Sequence, residues 1–168
     1  VDPKVEGYTF GGWYKDPGCA DADKWDFATP ITGHTMLYAK LDPITPQITW
    51  PTTTTGYEFK FTDPSALVDN TSGTGTVAYK DVVAFTITIA DGYDASKMKV
   101  GINGVLLSPK EIDGSLYTYE FIATVDTKIT VAGIERKTVT VIYNDNGGYG
   151  GPVQETVNYF LPSDVHNG

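Results

Sequence analysis

The feature that most constrains this chain is a short segment near its start in which aromatic residues alternate with small ones. It reads Gly-Tyr-Thr-Phe-Gly-Gly-Trp over residues 7–13, and a second segment, Leu-Tyr-Ala-Lys, follows at residues 37–40. A period of two is typical of β-strands, because successive side chains of a strand point to opposite faces. Glycine and threonine are too small to fill a core, so the rings must supply the buried area. The pattern predicts a strand pair with Phe10 and Trp13 as its core anchors.

Between these two segments lie a turn at residues 15–19 and a second aromatic pair, Trp25 and Phe27. Four sub-motifs occur in this order, and over residues 3–41 they resemble the C-terminal half of a Listeria–Bacteroides repeat, the internalin-type B repeat of bacterial surface proteins. Leu41 departs from the family, which usually carries tryptophan there. The resemblance implies a small, curved, β-grasp-like sheet in a bacterial protein that is secreted or attached to the cell wall or cell surface.

The other end of the chain resembles the opening of such a repeat. Residues 139–148 combine an alternating strand with an Asn-Asp-Asn-Gly-Gly turn, which the N-terminal segment lacks. We therefore expect a stretch of a longer tandem protein, in which neighbouring repeats are partners of the two partial ones. Exposed edge strands recruit partners, and we expect self-association between molecules rather than fold-back of one end onto the other.

The middle of the chain predicts a β-sandwich. Pro43 and Pro46 favour an extended linker, after which strand signals recur at the spacing of a sandwich. Residues 82–89 alternate with their apolar side chains on one face, and Asn103-Gly104 is a strong signal for a two-residue hairpin. About seven short strands in this span are similar to an immunoglobulin-like module.

We thus expect an all-β chain, an immunoglobulin-like β-sandwich flanked by partial β-grasp-like B-repeat segments. The predicted divisions are residues 1–42 for the C-terminal half of a B repeat and 43–136 for the sandwich. Residues 137–168 are expected to hold the opening strands of a following repeat and a terminal tail without periodicity.

Charge and hydropathy exclude two classes of partner. The net charge of −9 argues against nucleic acid, because phosphate binding needs clustered lysine and arginine. No stretch approaches 18 consecutive apolar residues, so we expect no membrane insertion of this segment.

The sequence predicts no enzyme and no cofactor. His34 and His166 lack a neighbouring nucleophile motif. Cys19 could act as a nucleophile with His34 as its base, but its acidic surroundings oppose a thiolate, so a packed role is favoured. A degradative enzyme would instead need a deep pocket with perturbed carboxylates.

Two short acidic segments could offer oxygen ligands to calcium. One contains Asp21, Asp23 and Asp26, and the other covers residues 144–147. Neither has the ligand and glycine spacing of a calcium loop, and Asp and Asn favour turns for backbone reasons. Turns are the favoured interpretation, no metal ligands are assigned, and bound calcium stays open.

Tyrosine is more abundant than a core of this size needs, and it is enriched in sugar-stacking platforms and protein interfaces. The candidate ligand-contacting rings are Tyr57, Tyr79, Tyr93 and Tyr149, with cross-strand packing as the alternative role. We expect a spacer and adhesion or ligand-binding segment whose partner is a host or matrix protein or a glycan. The alternative is a carbohydrate-binding accessory module of a large secreted glycoside hydrolase, which would show a groove with two or three coplanar rings.

Overall fold

A computed structural model describes residues 1–68, 71–144, 146–150 and 154–159. Over these ranges the chain is all-β, as predicted, with one three-residue 3-10 helix at Asp21–Asp23. The predicted tail at residues 161–168, which includes His166, lies outside the described residues, as does Asp145 of the candidate calcium segment.

The N-terminal piece is built on two antiparallel strands, β1 (Tyr8–Tyr14) and β2 (Tyr38–Pro43), with a bulge between Phe10 and Gly12. The loop between the strands returns along the free edge of β1. There the Lys15 N–H donates to the Asp23 carbonyl at 2.9 Å, and the Trp25 N–H donates to the Trp13 carbonyl at 2.8 Å. The aromatic-glycine segment is therefore a strand with neighbours on both sides.

The middle of the chain forms a four-stranded and a five-stranded sheet. The strands of the first are β4 (Tyr57–Asp63), β6 (Val82–Ile89), β10 (Glu111–Asp113) and β11 (Leu116–Ile122). Their spatial order is β10-β11-β6-β4, and all neighbours are antiparallel. The strands of the second are β3 (Gln47–Thr49), β5 (Thr74–Thr76), β8 (Lys99–Ile102), β9 (Val105–Leu106) and β12 (Thr127–Ala132). Their order is β5-β3-β12-β8-β9, in which β3 runs parallel to β12.

One core lies between these two sheets, which makes the arrangement sandwich-like. The predicted alternation of β6 is confirmed, because Val83, Phe85, Ile87 and Ile89 are all buried. Phe85 stacks on Phe59 at a centroid distance of 5.0 Å and on Tyr119 at 5.2 Å. Apolar residues of the five-stranded sheet complete the same cluster, namely Ile48, Val100 and Ile129.

The predicted hairpin at Asn103-Gly104 is also confirmed. These two residues connect β8 and β9 with φ angles of +49° and +81°. Both signs suit a type I′ turn, which asparagine and glycine tolerate best. The Asn103 side chain also accepts from the Lys128 N–H at 2.8 Å and donates to the Asp126 carbonyl at 2.9 Å, so the turn is anchored to the neighbouring strand.

The remaining strands belong to the C-terminal flank and its attachment. The short strands β7 (Tyr93–Asp94) and β13 (Glu135–Arg136) pair with each other, and β14 (Thr138–Ile142) pairs with β15 (Gln154–Asn158). Over the described residues, β1–β2 and β14–β15 form separate two-stranded sheets that share no strand pairing. Within the described residues the two ends therefore do not pair with each other, and the predicted association between molecules stays a prediction.

Two expectations about the N-terminal third need correction. Phe10 and Trp13 contact each other edge-on at 5.5 Å, but both are only half-buried. The fully buried ring of this piece is Tyr14, which is 1% exposed. The segment predicted to be an extended linker is instead part of the packed structure. Pro46 is fully buried, and its carbonyl accepts from the Val77 N–H at 3.1 Å.

Candidate functional site

The N-terminal piece is fastened to the sandwich by a small set of contacts, called here the N-terminal junction. The Glu6 carboxylate lies 2.7 Å from the Lys80 ammonium group. Beside this pair, the Ile44 N–H donates to the Gly7 carbonyl at 2.8 Å, which extends the β1–β2 ladder past Tyr8 and Pro43. The Tyr79 hydroxyl donates to the Glu6 carboxylate at 3.4 Å. Gly7 has φ +81°, and a Cβ there would lie 2.9 Å from the Tyr79 ring. Only glycine fits this close approach.

Electrostatics at the N-terminal junction follow from the ion pair. The hydrogen bond and the charge of Lys80 lower the pKa of Glu6, and the same two effects of Glu6 raise the pKa of Lys80. Both groups therefore stay ionised over a wide pH range. A cleft of about 490 Å³ lies beside them, bounded by Tyr8, Pro43 and Ala78 among others.

A second set of contacts, the C-terminal junction, fastens the other flank. The Lys137 N–H donates to the Gly92 carbonyl at 2.8 Å, and the Tyr159 N–H donates to the Lys137 carbonyl at 2.7 Å. The Arg136 guanidinium lies over the Tyr93 ring at 5.6 Å. The pairing of β13 with β7 continues this attachment, so the flank is held by main-chain bonds as well as by side chains.

The two junctions lie at opposite ends of one central strand. Tyr79 and Lys80 come just before β6, and Gly92 and Tyr93 come just after it. A strand rises about 3.3 Å per residue, so the eight residues of β6 separate the junctions by roughly 25 Å. The flanks consequently emerge from opposite poles of the sandwich.

A third feature is an apolar cleft of about 300 Å³ beside β4, called here the β4 cleft. Its walls come from β4, from the residue after β3 and from the segment after β4, namely Trp50, Phe59, Lys60, Phe61, Leu67, Val68 and Thr71. Trp50 and Phe61 meet edge-on at 4.9 Å. The cleft thus has aromatic walls and one cationic side chain at its rim.

The strand that borders this cleft is an edge of its sheet. β6 covers one side of β4, and no strand pairs with the other side over the described residues. The Ala90 N–H donates to the Gly56 carbonyl at 3.0 Å, which makes Tyr57 and Ile89 a non-hydrogen-bonded pair. In an antiparallel ladder such residues direct their own amides away from the partner. Tyr57, Phe59 and Phe61 therefore point N–H and C=O groups toward the open edge.

The structure divides the four predicted ligand-contacting tyrosines. Tyr57 and Tyr93 pack against the sandwich core, and the Tyr93 ring occupies the space that a Cβ at Gly56 would need. Burial raises the pKa of Tyr57. Tyr79 belongs to the N-terminal junction, whereas Tyr149 is 100% exposed. The role of these four tyrosines as ligand contacts stays a prediction. The β4 cleft was not predicted, although the alternation Tyr57-Phe59-Phe61 was visible as a strand.

Residues with the potential for chemistry lie in turns. Cys19 is half-buried with φ +50°, and its N–H donates to the Asp16 carbonyl at 3.1 Å. His34 is exposed in the loop between β1 and β2. The Asp26 carboxylate accepts from the Ala28 N–H at 2.9 Å, and the Asn144 side chain accepts from the Asn146 N–H at 2.9 Å. Both are turn contacts of the kind predicted for the two candidate calcium segments.

The described residues also bear on metal binding and on membrane crossing. No group of three or more His, Cys, Asp or Glu side chains lies close enough there to hold a metal ion. The same part of the chain contains no helix with the length and apolarity to cross a membrane.

The N-terminal piece consists of the aromatic-glycine strand with its bulge and the loop that returns along it. This piece is the part of the chain that matches a known family. Residues 1–40 match the Listeria-Bacteroides repeat domain. The predicted resemblance over residues 3–41 is confirmed at this level, and this repeat is typical of bacterial surface proteins. The match ends before the sandwich begins, so the immunoglobulin-like interpretation of residues 43–136 stays a prediction. Comparisons with curated proteins and with solved structures return no match.

Proposed function

We propose that this chain is a non-enzymatic spacer and adhesion module of a bacterial secreted or cell-surface protein. The match of residues 1–40 to a repeat that is typical of bacterial surface proteins supports the location. The turn positions of Cys19 and His34 support the non-enzymatic assignment, because a nucleophile and its base need a shared, positioned site.

The observation that carries the spacer role is the attachment of both flanks at opposite poles. The N-terminal junction combines the Glu6–Lys80 ion pair with the Tyr79 hydroxyl, and the C-terminal junction combines the 2.8 Å bond from the Lys137 N–H to the Gly92 carbonyl with the contact of Arg136 and Tyr93. A module that holds its two neighbours in the array at about 25 Å separation extends that array in a defined direction.

For the adhesive role, we propose that the β4 cleft binds an extended peptide segment of a host or matrix protein. An added strand would pair with the open edge of β4 through the outward amides of Tyr57, Phe59 and Phe61, while alternate apolar side chains fill the cleft. Recognition by strand addition combines main-chain bonds for affinity with pockets for specificity. The dispersed tyrosines lend less support to glycan binding, because sugar stacking needs rings that share one surface.

The spacer proposal can be tested with spin labels. In a Cys19→Ala background, labels at Thr35 and Thr62 report the N-terminal junction, and labels at Thr62 and Thr140 report the C-terminal one. We expect narrow distance distributions in pulsed electron spin resonance. Broad distributions for both pairs would refute a rigid spacer.

The adhesive proposal can be tested on an array of extended peptides that carry apolar residues at alternate positions, with a glycan array in parallel. Val68 lines the β4 cleft and Val125 is an exposed valine away from it. We expect Val68→Lys to weaken peptide binding at least tenfold and Val125→Lys to leave it unchanged. Binding only to glycans, or equal effects of both variants, would reject the cleft as the site.

A further inference from the structure

The N-terminal sheet carries aromatic residues on one of its two faces, called here the first apolar face. The register of the β1–β2 pair places Phe10 opposite Leu41 and Trp13 opposite Ala39. The Phe10–Trp13 ring contact shows that both lie on one side despite the bulge. The bridge between Tyr14 and Lys24 puts Trp25 beside Trp13 on this same side. The members of the first apolar face are Tyr8, Phe10, Trp13, Trp25, Ala39 and Leu41.

The opposite face of this sheet is already covered. Tyr14 is buried there with the Lys40 ammonium group 5.7 Å from its ring centre. A Cβ at Gly11 would lie 3.1 Å from the Lys40 side chain, and one at Gly12 would lie 3.0 Å from the Lys24 side chain. The alkyl stems of two lysines therefore lie over the two glycines. By contrast, Tyr8 on the first apolar face is 47% exposed.

The C-terminal sheet has a second apolar face. Register pairs Val139 with Val157 and Val141 with Glu155. The Tyr159 N–H continues the ladder by its bond to the Lys137 carbonyl. Because directly opposed residues share a face, one side carries Val139, Val141, Tyr143, Val157 and Tyr159, together with the charged residues Lys137 and Glu155. The other side carries Thr138, Thr140, Thr156, Gln154 and Asn158, with Ile142 as its one large apolar residue.

The sandwich core covers neither apolar face, and each face meets the sandwich only at one end. Tyr8 borders the cleft that Ala78 and Tyr79 line, and a Cβ at Gly92 would lie 3.6 Å from the Tyr159 ring. The residues packed against the sandwich core come from positions 48–134, and none of them comes from β1, β2, β14 or β15. On the second apolar face Val139 is 41% exposed and Tyr143 is 44% exposed. A two-stranded sheet with one bare apolar face is marginally stable in water.

We propose that the first apolar face of one molecule packs against the second apolar face of a second copy of this chain. The two faces lie on flanks that emerge from opposite poles, roughly 25 Å apart, so they cannot meet within one molecule. One face is aromatic and the other is largely β-branched, which suits interdigitation of sheets packed face to face. The charges on the two faces also agree, because Lys15 lies over the Trp25 ring on the first face and Glu155 lies opposite Val141 on the second.

Such a contact joins two different surfaces, so it is heterologous. Each added molecule leaves one face of each kind free, and association continues head to tail instead of closing as a dimer. The chain would reproduce, between molecules, the continuity of a tandem array. This inference does not rest on peptide binding at the β4 cleft.

The test measures mass against concentration by sedimentation velocity with the whole chain. We expect the unmodified chain to grow from monomer to dimer and longer species. Leu41→Glu alters the first face, and Val139→Glu alters the second. Each variant alone should remain monomeric at concentrations where the unmodified chain is mostly associated, which corresponds to association weakened at least tenfold. The control is Thr140→Glu, which places the same charge on the polar side of β14 and should associate normally.

Mixing the two variants gives the decisive result. Each keeps one intact face, so an equimolar mixture should form a complex of two molecules and stop there. Dimers of Val139→Glu alone would show contact between two first faces and overturn the proposal. A monomer at all concentrations, with β1 amides of the unmodified chain protected from exchange, would also overturn it. Tyr8→Glu is a second variant of the first face in case Leu41→Glu unfolds the N-terminal sheet.

Discussion

Glu6 and Lys80 form a 2.7 Å ion pair that connects the segment before β1 to the turn before β6. The two residues are 74 positions apart, and the Tyr79 hydroxyl donates to the same carboxylate. Both charged side chains are exposed, where ion pairs add little to global stability. Their effect is on geometry, because the pair joins the end of the N-terminal sheet, which the Ile44–Gly7 bond extends, to the turn before β6.

The N-terminal junction should consequently depend on pH. The pKa of Glu6 is lowered by Lys80, so its contribution is present above the ordinary glutamate pKa of about 4.3 and is lost as pH falls through the lowered value. The pKa of Lys80 is raised by Glu6, so its contribution is present below the ordinary lysine pKa of about 10.4 and is lost as pH rises through the raised value. The junction should stay closed between these limits.

Spin-label distances across the N-terminal junction can check this window. We expect Glu6→Gln to broaden the distribution at neutral pH to the width that the unmodified chain reaches only in acid. Glu58→Gln is the matched control, because Glu58 forms a 2.8 Å pair with Lys60 inside β4 and touches neither junction. An unchanged distribution in Glu6→Gln would mean that the Tyr79 ring against Gly7 and the covalent connection through Ile44 hold the junction without the ion pair.

Tyr14, not Trp13, should dominate the stability of the N-terminal sheet. Tyr14 is 1% exposed, whereas Trp13 is half-buried on the first apolar face. Tyr14→Ala should cost about 3–5 kcal/mol, as for other buried rings, and Trp13→Ala about 1–2 kcal/mol. Hydrogen exchange of the β1 and β2 amides measures the stability loss in each of the two variants. A larger cost for Trp13→Ala in dilute monomer would restore Trp13 as the anchor.

The sandwich should depend most on the ring stack around Phe85. Phe85 is fully buried between Phe59 and Tyr119, so Phe85→Ala should lower the free energy of unfolding by about 3–5 kcal/mol. Thr88 lies on the other face of β6, and Thr88→Ala should cost under about 1 kcal/mol. Urea titration followed by circular dichroism compares the two. Similar midpoints for the two variants would show that the core repacks around the missing ring.

The elements that were predicted correctly are those that a short stretch of sequence determines by itself. The burial of alternate residues in β6 follows from its period of two, and the Asn103-Gly104 turn follows from the backbone angles that those residues tolerate. The match of residues 1–40 likewise rests on a contiguous motif. These features need no knowledge of the rest of the chain.

The junctions and the β4 cleft could not be predicted in this way, because they join residues that are far apart in sequence. Glu6 meets Lys80, and Gly56 lies under Tyr93, only after the sandwich has formed. The identity of the buried ring in β1 depended on the bulge at Gly11, which fixes which side of the strand each later side chain occupies. Sequence alternation alone does not reveal a bulge.

The predicted ligand-contacting tyrosines should separate into packing and surface roles. Tyr93 lies over Gly56 and under the Arg136 guanidinium, so Tyr93→Ala should loosen the C-terminal junction and lower the melting temperature. Tyr93→Phe keeps the ring and should restore both properties. Tyr149 is fully exposed, and Tyr149→Ala should leave the melting temperature unchanged within about 1 °C, because surface substitutions usually change stability by less than about 0.5 kcal/mol. Calorimetry on the three variants, with spin labels at Thr62 and Thr140, measures these effects together. If Tyr93→Ala left both the melting temperature and the label distances unchanged, Tyr93 would have no packing role, and the result would fit its predicted role as a ligand contact.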